Sequence, residues 1–94
     1  MSFNSLRLEY ALEGRSNYVA WKDRMEAVLE DNGQKDFGAM DVQNPTDPAE
    51  VEAWQKNMAK CRRILLEGVK DHIVSSLHGK ASPYFMWKVL TDLF

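Results

Sequence analysis

The sequence predicts an all-α domain, a small bundle of about four helices behind an extended N-terminal arm. Three observations lead there. Apolar residues recur at spacings of three and four through most of residues 17–94, the period of helices with one covered face. Two pairs, Asp47-Pro48 and Ser82-Pro83, each join a capping side chain to a proline suited to the first helical position. Residues 6–13 instead alternate with a period of two, the mark of a half-buried strand.

In the arm (residues 1–14), that alternation puts Leu6, Leu8, Tyr10 and Leu12 on one side and Arg7, Glu9, Ala11 and Glu13 on the other. No later segment reads as a partner strand. The period then changes. Tyr18, Trp21, Met25 and Val28, with Leu29 beside them, form a stripe that predicts a helix over about 17–32. Ser16 or Asn17 can cap its start, and Gly33 suits a left-handed residue at its end. Residues 33–47 carry two glycines and a proline without a sustained period. Phe37, Met40 and Val42 are expected to pin this connection to the core, with one helical turn around 35–37. The second helix starts at the Asp47 cap, with Glu50 three residues on. Its stripe is Val51, Trp54, Met58, Cys61 and Leu65, and Glu52–Lys56 and Arg63–Glu67 pair on the other face. Gly68 ends or bends it. A third helix over about 70–78 turns Val69, Ile73 and Leu77 inward and stops at Gly79, and the fourth runs from Pro83 to the end. The expected core is Tyr18, Trp21, Met25, Trp54, Met58, Cys61, Trp87 and Leu90, with one tryptophan from each major helix at its hub.

A chain of 94 residues makes one domain, burying about two-thirds of its unfolded surface. Its net charge of −2 argues against strong binding to nucleic acid or anionic membrane, and any RNA affinity is expected to be no tighter than tens of micromolar, roughly. Cys61 is the single cysteine and can form no internal disulfide, which fits a reducing compartment. The N-terminus does not read as a signal peptide, and no stretch is apolar enough for a membrane span. The expectation is a cytoplasmic, non-enzymatic domain without cofactor or metal. His72 and His78 do not share a helix face, and nothing completes a ligand set around them. Cys61 falls on a core stripe, where a cysteine packs rather than reacts. Lys56, Lys60, Arg62 and Arg63 interleave with Glu52 and Glu67 and read as a solvated face.

The fourth helix is the exception. Phe85, Val89, Leu93, Met86, Leu90, Phe94 and Trp87 sweep an arc of about 200°, wider than a helix lying on a small core needs. Either this chain covers both sides, or another chain covers the flank of Phe85, Val89 and Leu93. The arm leaves three alternatives: a short helix, an extended segment across its own fourth helix, or a segment that crosses to a second molecule. A symmetric dimer would explain both oddities, with Leu6, Leu8, Tyr10, Leu12, Phe85, Val89 and Leu93 as its self-association surface.

LEGRSNYVAWKDRMEAVL resembles the opening of the Gag polyproteins of copia-type LTR retrotransposons, in which an L-x-G-x-x-Y-x-x-W lead enters an amphipathic helix. The likeness continues through a loop with a proline, a helix carrying Trp54, Lys60 and Ile64, a short segment over 69–77, and then Ala81, Met86, Trp87, Leu90 and Phe94. It covers almost the whole chain, although each fragment is only a set of aromatic residues at helical spacing. Tyr84 and Phe85 depart from it, since the relatives usually carry polar residues before the Met-Trp pair. Phe37 is a loose substitute for an aromatic or Leu-Trp pair, and the relatives' later helices and zinc knuckle do not appear. The resemblance implies a capsid N-terminal-domain-like fold that self-associates into dimers or virus-like particles. It also admits a domesticated Gag fragment that binds a host protein peptide as an adaptor, or that binds full-length Gag and inhibits its assembly.

Overall fold

The computed structural model describes residues 8–40, 42–80 and 82–94, and these are mostly helical. The helices are α1 Tyr18–Asp31, α2 Lys35–Ala39, α3 Pro48–Glu67, α4 Asp71–Leu77 and α5 Pro83–Leu93. Two 3₁₀ turns, Leu8–Tyr10 and Arg15–Asn17, precede α1. The predicted all-α class is therefore the observed one, with α2 as a fifth helix where a single turn was expected.

The helix ends follow the local chemistry. The Asp47 carboxylate accepts from the Ala49 N–H at 2.9 Å and Pro48 opens α3. The Ser82 hydroxyl accepts from the Phe85 N–H at 3.4 Å and Pro83 opens α5. These bonds satisfy N–H groups that have no partner inside the first helical turn. Gly33 and Gly79 close their helices at φ 69° and 81°, a backbone that any Cβ would strain. Asn17 stands at the start of α1 but makes no capping bond with its side chain.

The core joins the arm to all the long helices. Leu12, Trp21, Met25, Leu29, Cys61, Ile64, Leu65, Val69, Ile73, Leu77, Met86 and Leu90 form one buried cluster. Each full-sized aliphatic side chain in it contributes about 1.5–3 kcal/mol by leaving water. An aromatic row stiffens the contact of α1 with α5. Trp21 stacks on Trp87 at 5.4 Å, Tyr18 lies 6.1 Å from Trp21 and 6.2 Å from Phe94, and the Tyr18 and Thr91 hydroxyls bond at 3.1 Å. Tyr18 and Trp87 are only half-buried, but both pack against the cluster, as expected.

Several expectations need correction. Trp54 and Met58 are half-buried and lie outside the core cluster, so Trp54 is not a hub. A 20-residue helix spans about 30 Å, more than one small core can cover along its whole length. The buried residues of α3 are Cys61, Ile64 and Leu65 in its second half, and the first half reaches past the core. There the Trp54 indole N–H donates to the Val42 carbonyl at 3.2 Å. Phe37 packs on the core, but Met40 is 54 % exposed and pins nothing.

The arm is not a strand. After the 3₁₀ turn it runs extended through Leu12, which forms an isolated parallel bridge with Val69. Its partner is thus the three-residue joint between α3 and α4. The alternation also fails, because Ala11 and Leu12 are neighbours and both are buried. A 3₁₀ turn has three residues per turn, so its side chains do not alternate. Leu6 and the side chain of Leu8 lie outside what is described.

Candidate interaction surface

The structure separates the residues that the sequence grouped as one self-association surface. Leu12 is fully buried in the core of its own chain and is removed from that surface. Tyr10 is half-buried, and the Arg24 guanidinium lies 4.0 Å from its ring centre. That cation–π contact ties the arm to α1. On α5 the division runs along the helix. Pro83, Met86 and Leu90 are buried, and Trp87 and Phe94 complete the inner face against α1. Phe85 remains 42 % and Leu93 47 % exposed, with half-buried Val89 one turn from each. These three stand four residues apart and line one edge of the helix. Tyr84 packs edge-on to Phe85 at 5.3 Å and widens this apolar edge. Elsewhere Val19 is exposed on α1, as a single surface residue with no consequence by itself.

The arm docks in a seam made by α1 and the joint between α3 and α4. The Leu12 N–H donates to the Gly68 carbonyl and the Lys70 N–H donates to the Leu12 carbonyl, both at 2.9 Å. The Gly68 carbonyl accepts a second bond, from the Trp21 indole N–H at 2.7 Å. Both of its lone pairs are thereby used, inside the core, where an unmade bond costs most. Asn17 turns its side chain back onto the arm. Its amide oxygen accepts from the Glu13 and Gly14 N–H groups at 3.0 and 3.3 Å, and its Nδ2 donates to the Ala11 carbonyl at 3.0 Å. His72 Nε2 stands 2.8 Å from the Glu13 carbonyl, which can only accept, so Nε2 carries the proton. Lys70 adds an ion pair to the Glu13 carboxylate at 3.9 Å. Glu13, Val69, Lys70, Asp71 and His72 line a shallow open depression here. Sequence reasoning missed this seam. Its one signal was the Gly68-Val69-Lys70 joint, which has to leave backbone groups free of both helices.

Polar chemistry elsewhere is structural. Cys61 is buried, its thiol faces the Gln34 carbonyl at 3.9 Å, and desolvation pushes its pKa up to about 12. That holds it as an unreactive thiol. Gln34 itself was not foreseen in the core. It is 2 % exposed and donates through Nε2 to the Asn57 side-chain oxygen Oδ1 at 3.0 Å, fixing the α1–α2 joint to α3. Among the described residues, no three His, Cys, Asp or Glu side chains come together to hold a metal. No helix among them is long and apolar enough to cross a membrane. On the basic face, Lys56 pairs with Glu52 at 3.0 Å, both well exposed. Comparisons with protein-family models, with curated proteins and with solved structures find nothing that matches this chain.

Proposed function

We propose that this chain is a non-enzymatic assembly module that self-associates through the outer edge of α5. The observation that carries the reading is the exposed pair Phe85 and Leu93, with half-buried Val89 between them packed against the core cluster, along a helix whose inner face already fills the core. A row of large apolar side chains along one helix edge is the kind of surface that a second helix covers, and two copies of the same edge can cover each other symmetrically. The sequence's likeness to copia-type Gag supports an assembly role of the capsid kind, in dimers and larger particles. A domesticated adaptor or an inhibitor of Gag assembly would use the same edge against a different partner.

Sedimentation equilibrium from low to high micromolar concentration tests the proposal. The apparent mass should rise with concentration, and Phe85→Asp with Leu93→Asp should hold it at the monomer value. A parent chain that stays monomeric throughout would refute self-association through α5.

A further inference from the structure

We propose that the arm is exchangeable, so that in associated copies each chain's residues 8–14 fill the seam of its neighbour. The inference deepens the self-association reading and rests on it only for the statement that copies of this chain meet. Long-range contacts among the described residues join the arm to the body: Leu12 to Gly68 and Lys70, Glu13 to His72 and Lys70, and Tyr10 to Arg24. Asn17, at the start of α1, also holds the arm from the body side through Ala11, Glu13 and Gly14. A second copy carries the same arm and the same body, so each of these contacts can form between two chains with unchanged geometry.

The cost of exchange then falls on the hinge. Arg15 and Ser16 are exposed and lie in a 3₁₀ turn closed by a long bond, from the Asn17 N–H to the Gly14 carbonyl at 3.3 Å. Straightening that turn sacrifices two hydrogen bonds of 3₁₀ geometry at an exposed site, this one and the bond from the Tyr18 N–H to the Arg15 carbonyl. Leaving the seam empty costs far more, because Leu12 is fully buried and an empty site would leave a hole in the core. The seam is therefore filled in every state, and only the identity of the arm changes.

Exchange would supply a second interface. The seam lies on the Trp21 side of the molecule, and Trp21 stacks on Trp87 of α5. Phe85 and Val89 stand about 160° around α5 from Trp87. Two symmetric contacts on different faces propagate beyond a dimer, which one symmetric contact cannot do.

The test uses the native chain in ¹⁴N and ¹⁵N forms, unfolded in urea, mixed in equal amounts and refolded at low or at high concentration. A carbodiimide joins carboxylates directly to amines, and Glu13 and Lys70 lie close enough to be linked. Mass spectrometry of the linked Glu13 and Lys70 peptides then separates links within a chain from links between chains. Pairs of mixed isotope should be negligible after dilute refolding and rise toward about half of all such links in the associated protein, as random assortment requires. Same-isotope pairs alone, in a sample that sedimentation shows to be dimeric, would overturn the exchange and leave the α5 reading standing. Same-isotope pairs in a sample that is monomeric throughout would overturn both. Absence of the Glu13–Lys70 link under every condition would contradict the seam on which the exchange depends.

Discussion

Leu12 in the arm and Phe85 on α5 are both large apolar side chains at the margin of the predicted core, yet the first is fully covered by its own chain and the second is 42 % exposed. The difference lies in the backbone. Leu12 sits in an extended stretch whose N–H and C=O need partners, and the joint at Gly68 and Lys70 offers both within a few ångströms. The hydrogen bonds and the apolar burial point to the same place, so an arm seated in the seam has its backbone and its side chain satisfied together. Phe85 sits in a helix whose backbone groups are already paired, and only its side chain is left to cover. Nothing but apolar contact draws a partner there, and contact of that kind is available to a second copy.

Substitutions can break this contrast in order of size. Leu12→Ala removes most of a buried side chain and should cost about 2–5 kcal/mol, for a site that the sequence treats as surface. Urea denaturation would show it as a lower midpoint. A loss below about 0.5 kcal/mol would mean that the arm is not part of the core. Trp21→Phe keeps the ring stacked near Trp87 but removes one of the two donors to the Gly68 carbonyl, with an expected loss of about 1–3 kcal/mol. Trp54→Ala should cost only about 1–2 kcal/mol, because that side chain is half-buried over the connection to α3. Measured beside Trp21→Ala, which should cost about 3–5 kcal/mol for a fully buried ring, Trp54→Ala ranks the halves of the molecule. A larger loss at Trp54 would reverse the account of α3.

Cys61 supplies a pH test of the same core. Its pKa is raised by burial from 9.0 to about 12, so the folded state favours the neutral thiol. The unfolded chain releases that proton first, at its ordinary pKa. The contribution to stability is therefore complete below about pH 9 and declines as the pH rises toward 12. A thiol reagent at pH 8 should leave the folded chain unmodified and react only on unfolding. Rapid modification of the native protein would place Cys61 outside the core. The smallest expected effect is the one that matters for function. Phe85→Asp should change monomer stability by about 0.5 kcal/mol or less, since the side chain already faces solvent in part.

Most of the fold was legible because helix ends carry local chemistry. Asp47-Pro48 and Ser82-Pro83 announce α3 and α5 within the residues that form their first turns. Trp21, Met25 and Leu29 were readable from spacing, as were Cys61, Leu65 and Leu90. The arm was not, because a short alternation is equally compatible with a 3₁₀ turn followed by one bridging residue. Its partner, Val69, is a single residue between two helices and leaves no periodic trace. Trp54 was misplaced because periodicity reports a helix face and not how far along that face the core extends. The buried amide of Gln34 had no sequence signal, since its partners are Asn57, far along the chain, and a carbonyl in its own turn. The outer edge of α5 was visible as surplus apolar width, and the structure leaves Phe85 and Leu93 at that edge.

The most direct test of the central claim is a dilution series of ¹H–¹⁵N spectra on the parent chain, read residue by residue. The account predicts that signals of Phe85, Val89, Leu93 and their neighbours shift or broaden as concentration rises. Leu12 and Val69 should hold still, because their surroundings are the same whichever arm fills the seam. Concentration-dependent shifts confined to the face of Lys56 and Lys60, or none along α5, would contradict it.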